Sequence, residues 1–147
     1  MRGTLTDLRD TTRIPLAPGP LEVVVPYSNP WLAAESLSAV AGWLQGFEAK
    51  VTLMAVHVLP YPAPLEAQAG IRKRLEAELA TVARASDVSA EVRLAFARDR
   101  DQAFLGLLGS RSLVVVGTRE RWWKTPEERL ARKLAAHGHS VALVRIK

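Results

Sequence analysis

From residue 21 onward, hydrophobic and polar positions fall into short blocks that alternate between two periods. Leu21-Glu22-Val23-Val24-Val25-Pro26-Tyr27 is a β-branched run of the kind found in a strand buried on both faces. Ser28-Asn29-Pro30 comes next, with proline at a first helical position and Asn29 as its cap. Ala33, Leu37, Val40, Ala41 and Leu44 then share one helical face, and Gly46 marks its end. Residues 51–58 predict a second strand. Pro60, Pro62 and Pro64 predict a loop, and 65–85 a helix with Ile71, Leu75, Leu79 and Val82 at three- and four-residue steps. Ala90, Val92, Leu94 and Phe96 alternate, which predicts a third strand over 89–96. Asp99-Arg100-Asp101-Gln102 has the form of a capping box and opens a short helix carrying Ala103, Phe104, Leu107 and Leu108. Leu113-Val114-Val115-Val116-Gly117 is the plainest strand in the chain. After the loop 118–124, Thr125-Pro126-Glu127-Glu128 starts a last helix, with Leu130, Leu134 and Ala135 as its buried stripe and Gly138 as its C-terminal cap. Residues 141–146 predict a fifth strand.

Five strands alternating with four helices imply parallel pairing through right-handed crossovers. The predicted fold is therefore α/β: one doubly wound, Rossmann-like sheet with helices on both faces. Such sheets bind ligands outside the carboxyl ends of their strands, where the winding reverses. Residues 1–20 show no clean period and end in Pro15-Leu16-Ala17-Pro18-Gly19-Pro20, which predicts a tail or linker ahead of a single domain over 21–147.

Composition narrows the function classes. A chain of 147 residues, 48% of them hydrophobic, can bury one real core. No apolar run approaches the ~18 residues that span a bilayer. The first residues lack a signal-peptide pattern. With no cysteine, disulfides, thiolate metal sites and a cysteine nucleophile are excluded, and a cytoplasmic setting fits. Twenty Lys and Arg face fifteen acids, a net charge of +5 that suits either an ordinary soluble surface or an anionic partner. No constellation for catalysis or metal binding is apparent. His137-Gly138-His139 sits at a helix end, where histidines engage free carbonyls, and Glu127-Glu128 and Arg72-Lys73-Arg74 read as a helix start and a solvated face. No nucleic-acid partner is expected.

The run Val24-Val25-Pro26-Tyr27-Ser28-Asn29-Pro30, the central Val114-Val115-Val116-Gly117 and the ending Ser140-Val141-Ala142-Leu143-Val144 together resemble a universal stress protein domain over 21–147. The resemblance implies a five-stranded parallel sheet in the order 3-2-1-4-5 and a homodimer, often through the last strand. Val141, Leu143 and Val144, in a strand expected at the sheet edge, fit such a dimer. Nucleotide-binding members carry Asp after the first strand, where Ser28 stands here. They also carry a glycine signature after the fourth, of which only Gly117 matches: positions 120, 130 and 131 are Glu, Leu and Ala, and no glycine lies between Gly117 and Gly138. Those glycines let backbone N–H groups reach phosphate oxygens with no Cβ in the way, at the positive end of a helix. Here that helix begins with two carboxylates, Glu127 and Glu128. ATP is therefore not favoured as a cofactor. A softer likeness links Ser28-Asn29-Pro30 and residues 125–132 to the stress-protein-like cytosolic domains of amino-acid permeases, which implies a protein or membrane-transporter partner.

In that sheet order the loops after the first and fourth strands are neighbours. Tyr27, Ser28, Asn29 and Trp31 face Gly117, Arg119, Arg121, Trp122, Trp123 and Lys124 across the candidate ligand crevice. Trp and Tyr stack on planar ligands, and Arg adds cation–π and anion contacts. Alternatively the tryptophans fill the space a nucleotide would take, or the loop 118–124 sits at a membrane interface. The reading is a non-catalytic binding or regulatory module, with a nucleotide-binding protein using the Arg/Trp loop as the alternative.

Overall fold

The computed structural model describes residues 5–7, 21–45, 48–59, 68–109 and 112–147 of the chain. The expected order of strands and helices is present: β2 (Leu21–Pro26), α1 (Pro30–Trp43), β3 (Ala49–Val58), α2 (Gln68–Arg84), β4 (Ala90–Ala97), α3 (Arg100–Leu107), β5 (Ser112–Arg119), α4 (Pro126–Ala136) and β6 (Ser140–Ile146), preceded by a short β1 (Leu5–Asp7). The sheet order is β1-β6-β5-β2-β3-β4 and every pairing is parallel. Its five main strands thus lie in the predicted order 3-2-1-4-5.

Two features depart from the sequence reading. Leu5–Asp7, inside the segment read as a tail, pairs with Val141–Leu143. Three residues are too few to show a period, so no pattern announced that strand. As a result β6 is flanked by β5 and β1 and is not the edge that the proposed homodimer through the C-terminal strand presupposed. The Gly46 stop and the proline loop over 60–64 lie outside the described residues.

The helices form as their caps dictate. Asn29, Asp99 and Thr125 each accept a hydrogen bond from the backbone N–H three residues on, and proline fills the first position of α1 and α4. Gly138, with φ 95°, takes the left-handed turn after α4 that a side chain would resist. Alternate residues of the strands feed two cores. Val23, Val25, Leu53 and Val115 pack under α1 and α2 with Leu37, Val40 and Leu79. Val24, Met54, Val114 and Val116 pack under α3 and α4 with Phe104, Leu130 and Leu134. A strand feeding both layers must be apolar at successive positions, which is why β2 and β5 read as unbroken runs. At the edge, β4 exposes Glu91 and Arg93 and so alternates.

Winding reverses between β2 and β5. From β2 the chain passes through α1 to β3; from β5 it passes through α4 to β6, on the other side. No helix among the described residues is long and apolar enough to cross a membrane.

Candidate functional site

One wall of the switch point is built by α1. It starts directly beyond β2, and Asn29 spends its side-chain oxygen on the Leu32 N–H, 2.9 Å away. The helix then lies close against β5. A Cβ on Gly117 would overlap Ser36 Oγ and stand 3.3 Å from the Leu32 carbonyl oxygen, while Ser36 itself donates to that carbonyl at 2.6 Å. Gly117, the residue matching the phosphate signature, is thus explained by helix–strand packing. Two residues on, the Arg119 guanidinium lies over the Trp31 ring, 4.6 Å from its centre. This contact joins the two loops that the sequence placed side by side.

The opposite wall is the start of α4. Thr118 and Thr125 share a hydrogen bond between their hydroxyls, and Thr125 also accepts the Glu128 N–H at 3.1 Å. Glu128 is only 6% exposed. Its carboxylate accepts from Arg145 of β6 at 2.9 Å and pairs with Arg132 at 3.7 Å. At the start of α4 the Thr125 hydroxyl thus takes the Glu128 N–H, and the first turn carries a buried carboxylate paired with two arginines. Glu128 does more here than complete a helix start, and Arg145, Ser36 and Glu78 are participants that the sequence reading did not find. A single arginine in Val-Ala-Leu-Val-Arg-Ile was the one available signal for Arg145. Ser36 and Glu78 gave none.

Between the walls runs the loop 120–124. The Glu120 N–H donates to the Ile146 carbonyl at 2.8 Å, and with the Thr118–Thr125 pair this pins the base of the loop. Beyond the base, Trp122 and Trp123 meet edge to face at 5.0 Å, and Arg121 lies 5.6 Å from the Trp123 ring centre. Trp122 is 91% exposed and Trp123 49%, so this pair does not plug the crevice. Lys124 and Ser28 are exposed. Tyr27 turns toward α2, where its hydroxyl donates to the Glu78 carboxylate; burial first, and then Glu78, push its ionisation far above the ordinary tyrosine range. Tyr27 is thus a neutral donor held within the fold.

A groove of about 420 Å³ runs between α1 and α2, lined by Trp31, Ala34, Val82, Ala85 and Asp87 among others. His137 Nδ1 lies 2.8 Å from the Lys133 carbonyl, the helix-end contact its position predicted. No group of three or more metal-ligating side chains occurs among the described residues.

No protein-family model matches the chain, and no curated protein matches it in sequence. Its fold does match solved structures. A universal stress protein from Archaeoglobus fulgidus in complex with dAMP superposes with a TM-score of 0.56 at 14% identity, over 86% of this chain and 98% of that one. A second structure described as the universal stress protein from that organism gives 0.59 at 13% identity, covering 86% and 93% of the respective chains. A universal stress protein in complex with cAMP gives 0.51 at 17% identity, covering 86% and 95%.

Proposed function

We propose that this chain, which has the fold of universal stress proteins, is a non-catalytic cytoplasmic binding or regulatory module. It does not hold a nucleoside triphosphate, and it works through the aromatic and cationic surface at the carboxyl end of its sheet. The observation that carries this reading is the start of α4. A triphosphate there needs bare backbone N–H groups and an open positive helix end. In this chain the Thr125 hydroxyl takes one N–H, and Glu128 in the first turn adds a buried negative charge, held by Arg145 and Arg132, where a phosphate would need none.

A second reading has its own support. Two of the matched universal stress proteins are described in complex with dAMP and with cAMP, ligands with a single phosphate. Arg119, stacked on Trp31 at the switch point, supplies one cation there, which suits a monophosphate better than a triphosphate.

Calorimetry and thermal shift with ATP, ADP and AMP, with and without magnesium, separate the readings. A ligand that binds only the folded state at a hundred times its Kd adds about 2.7 kcal/mol. The expected result is no shift with any of the three at millimolar concentration. A saturable shift with ATP defeats the proposal. A shift with AMP alone, lost in Arg119→Ala, establishes the second reading.

A further inference from the structure

Four large hydrophobic side chains are exposed among the described residues: Trp31, Val58, Trp122 and Trp123. All four lie at the same end of the molecule. Trp31 is the second residue of α1, immediately beyond β2; Val58 is the last residue of β3; the tryptophan pair follows β5. Those three strands are consecutive in the sheet, so these residues all sit at the carboxyl ends of neighbouring strands.

Charge accompanies them. Arg119 stacks on Trp31 and Arg121 on Trp123. Lys124 and Arg129 are also exposed, against Glu120 and Glu127 on the same stretch. Glu128, the third acid, is already neutralised by Arg145 and Arg132. The stretch 119–129 thus presents more positive than negative charge to solvent. It is a projection and not a recess: neither the groove between α1 and α2 nor the smaller cleft beside α3 is lined by Trp122 or Trp123.

We infer that the carboxyl end of the sheet docks on an anionic membrane surface, with Trp122 and Trp123 entering the headgroup region and Arg121 and Lys124 meeting the lipid phosphates. This deepens the functional reading above and rests on it, because the same end must be free of a bound triphosphate. A bilayer interface is the environment that takes indole rings and cationic side chains at one depth. A single-stranded nucleic acid fits less well. It needs open aromatic faces for successive bases, and here guanidinium groups lie over two of the three indoles while the third meets its neighbour edge to face.

The test is co-sedimentation of the purified chain with vesicles of phosphatidylcholine alone and of equal parts phosphatidylcholine and phosphatidylglycerol, read together with tryptophan emission. The expected result is binding to the anionic vesicles only, with a blue shift in emission and release at high salt. Trp122→Ala and Trp123→Ala should each weaken binding about tenfold or more, since each withdraws a large apolar area. Arg121→Glu with Lys124→Glu should abolish it, with the far-ultraviolet dichroism and melting of each variant unchanged. Failure to bind anionic vesicles, equal binding to neutral ones, or binding that survives these substitutions overturns the inference. Tighter binding to oligo-dT than to the vesicles overturns it as well. A parallel titration with ATP keeps the two conclusions apart. If neither ATP nor vesicles bind, only the membrane inference falls; if ATP binds, the underlying functional reading falls too.

Discussion

Gly117→Val is expected to lower the stability of the fold by about 3 kcal/mol, the upper part of the usual range for forcing extra carbon into a packed interior. In a domain of this size that corresponds to a fall in melting temperature of roughly 6–12 °C. Backbone conformation is not the cause, because Gly138 is the described glycine with positive φ. The cause is space: α1 crosses β5 so closely that Ser36 Oγ occupies the place of a Cβ, with the Leu32 carbonyl oxygen 3.3 Å behind it. Gly117→Ala should cost less, about 1–2 kcal/mol, and Ser36→Ala in the same chain should return part of that loss, since the first obstacle is then gone. A double-mutant cycle on thermal or urea unfolding measures the coupling. Additive losses would mean that α1 does not rest on Gly117 as described.

Arg145→Ala is the second large effect. It withdraws the closer of two cations from a carboxylate that is buried against the start of α4. Stranding a fully buried charge costs about 3–5 kcal/mol. Arg145 is itself partly exposed, and Arg132 remains at 3.7 Å, so the expected loss is about 2–3 kcal/mol after that discount. Glu128→Gln, which keeps the shape and removes the charge, should cost less. Combining it with Arg145→Ala should recover much of the damage, because no stranded carboxylate is left. Urea midpoints of the two single variants and the double give the answer. If Arg145→Ala proves neutral, Glu128 is better hydrated than its burial implies.

The fold was legible where one physical rule acted alone. Runs of β-branched residues announced β2 and β5 because both faces of those strands are covered, and the alternation over 89–96 announced β4 as a strand. Asn29, Asp99 and Thr125 announced helix starts because a cap is a local event between a side chain and the next turn. The site was legible in outline: strand order brought Trp31 and Arg119 together. It was not legible in detail, because the details are contacts between distant segments. Tyr27 reads as a crevice residue until Glu78, on α2, takes its hydroxyl. Gly117 reads as a ligand contact until helix–strand packing accounts for it. The strand Leu5–Asp7 exists only through its pairing with β6, and nothing local could reveal it.

The pinned base of the loop after β5 sets how freely this molecule can change. With Thr118 tied to Thr125, and Glu120 to the carbonyl of Ile146, the four residues between Glu120 and Thr125 hang from a closed collar and carry none of the interior. Their side chains can be exchanged without disturbing the sheet beneath. Residues 121–124 therefore behave as a cassette. Descendants of one scaffold could acquire different targets by rewriting four codons while inheriting the same stability, and a laboratory could graft new recognition sequences at the same place.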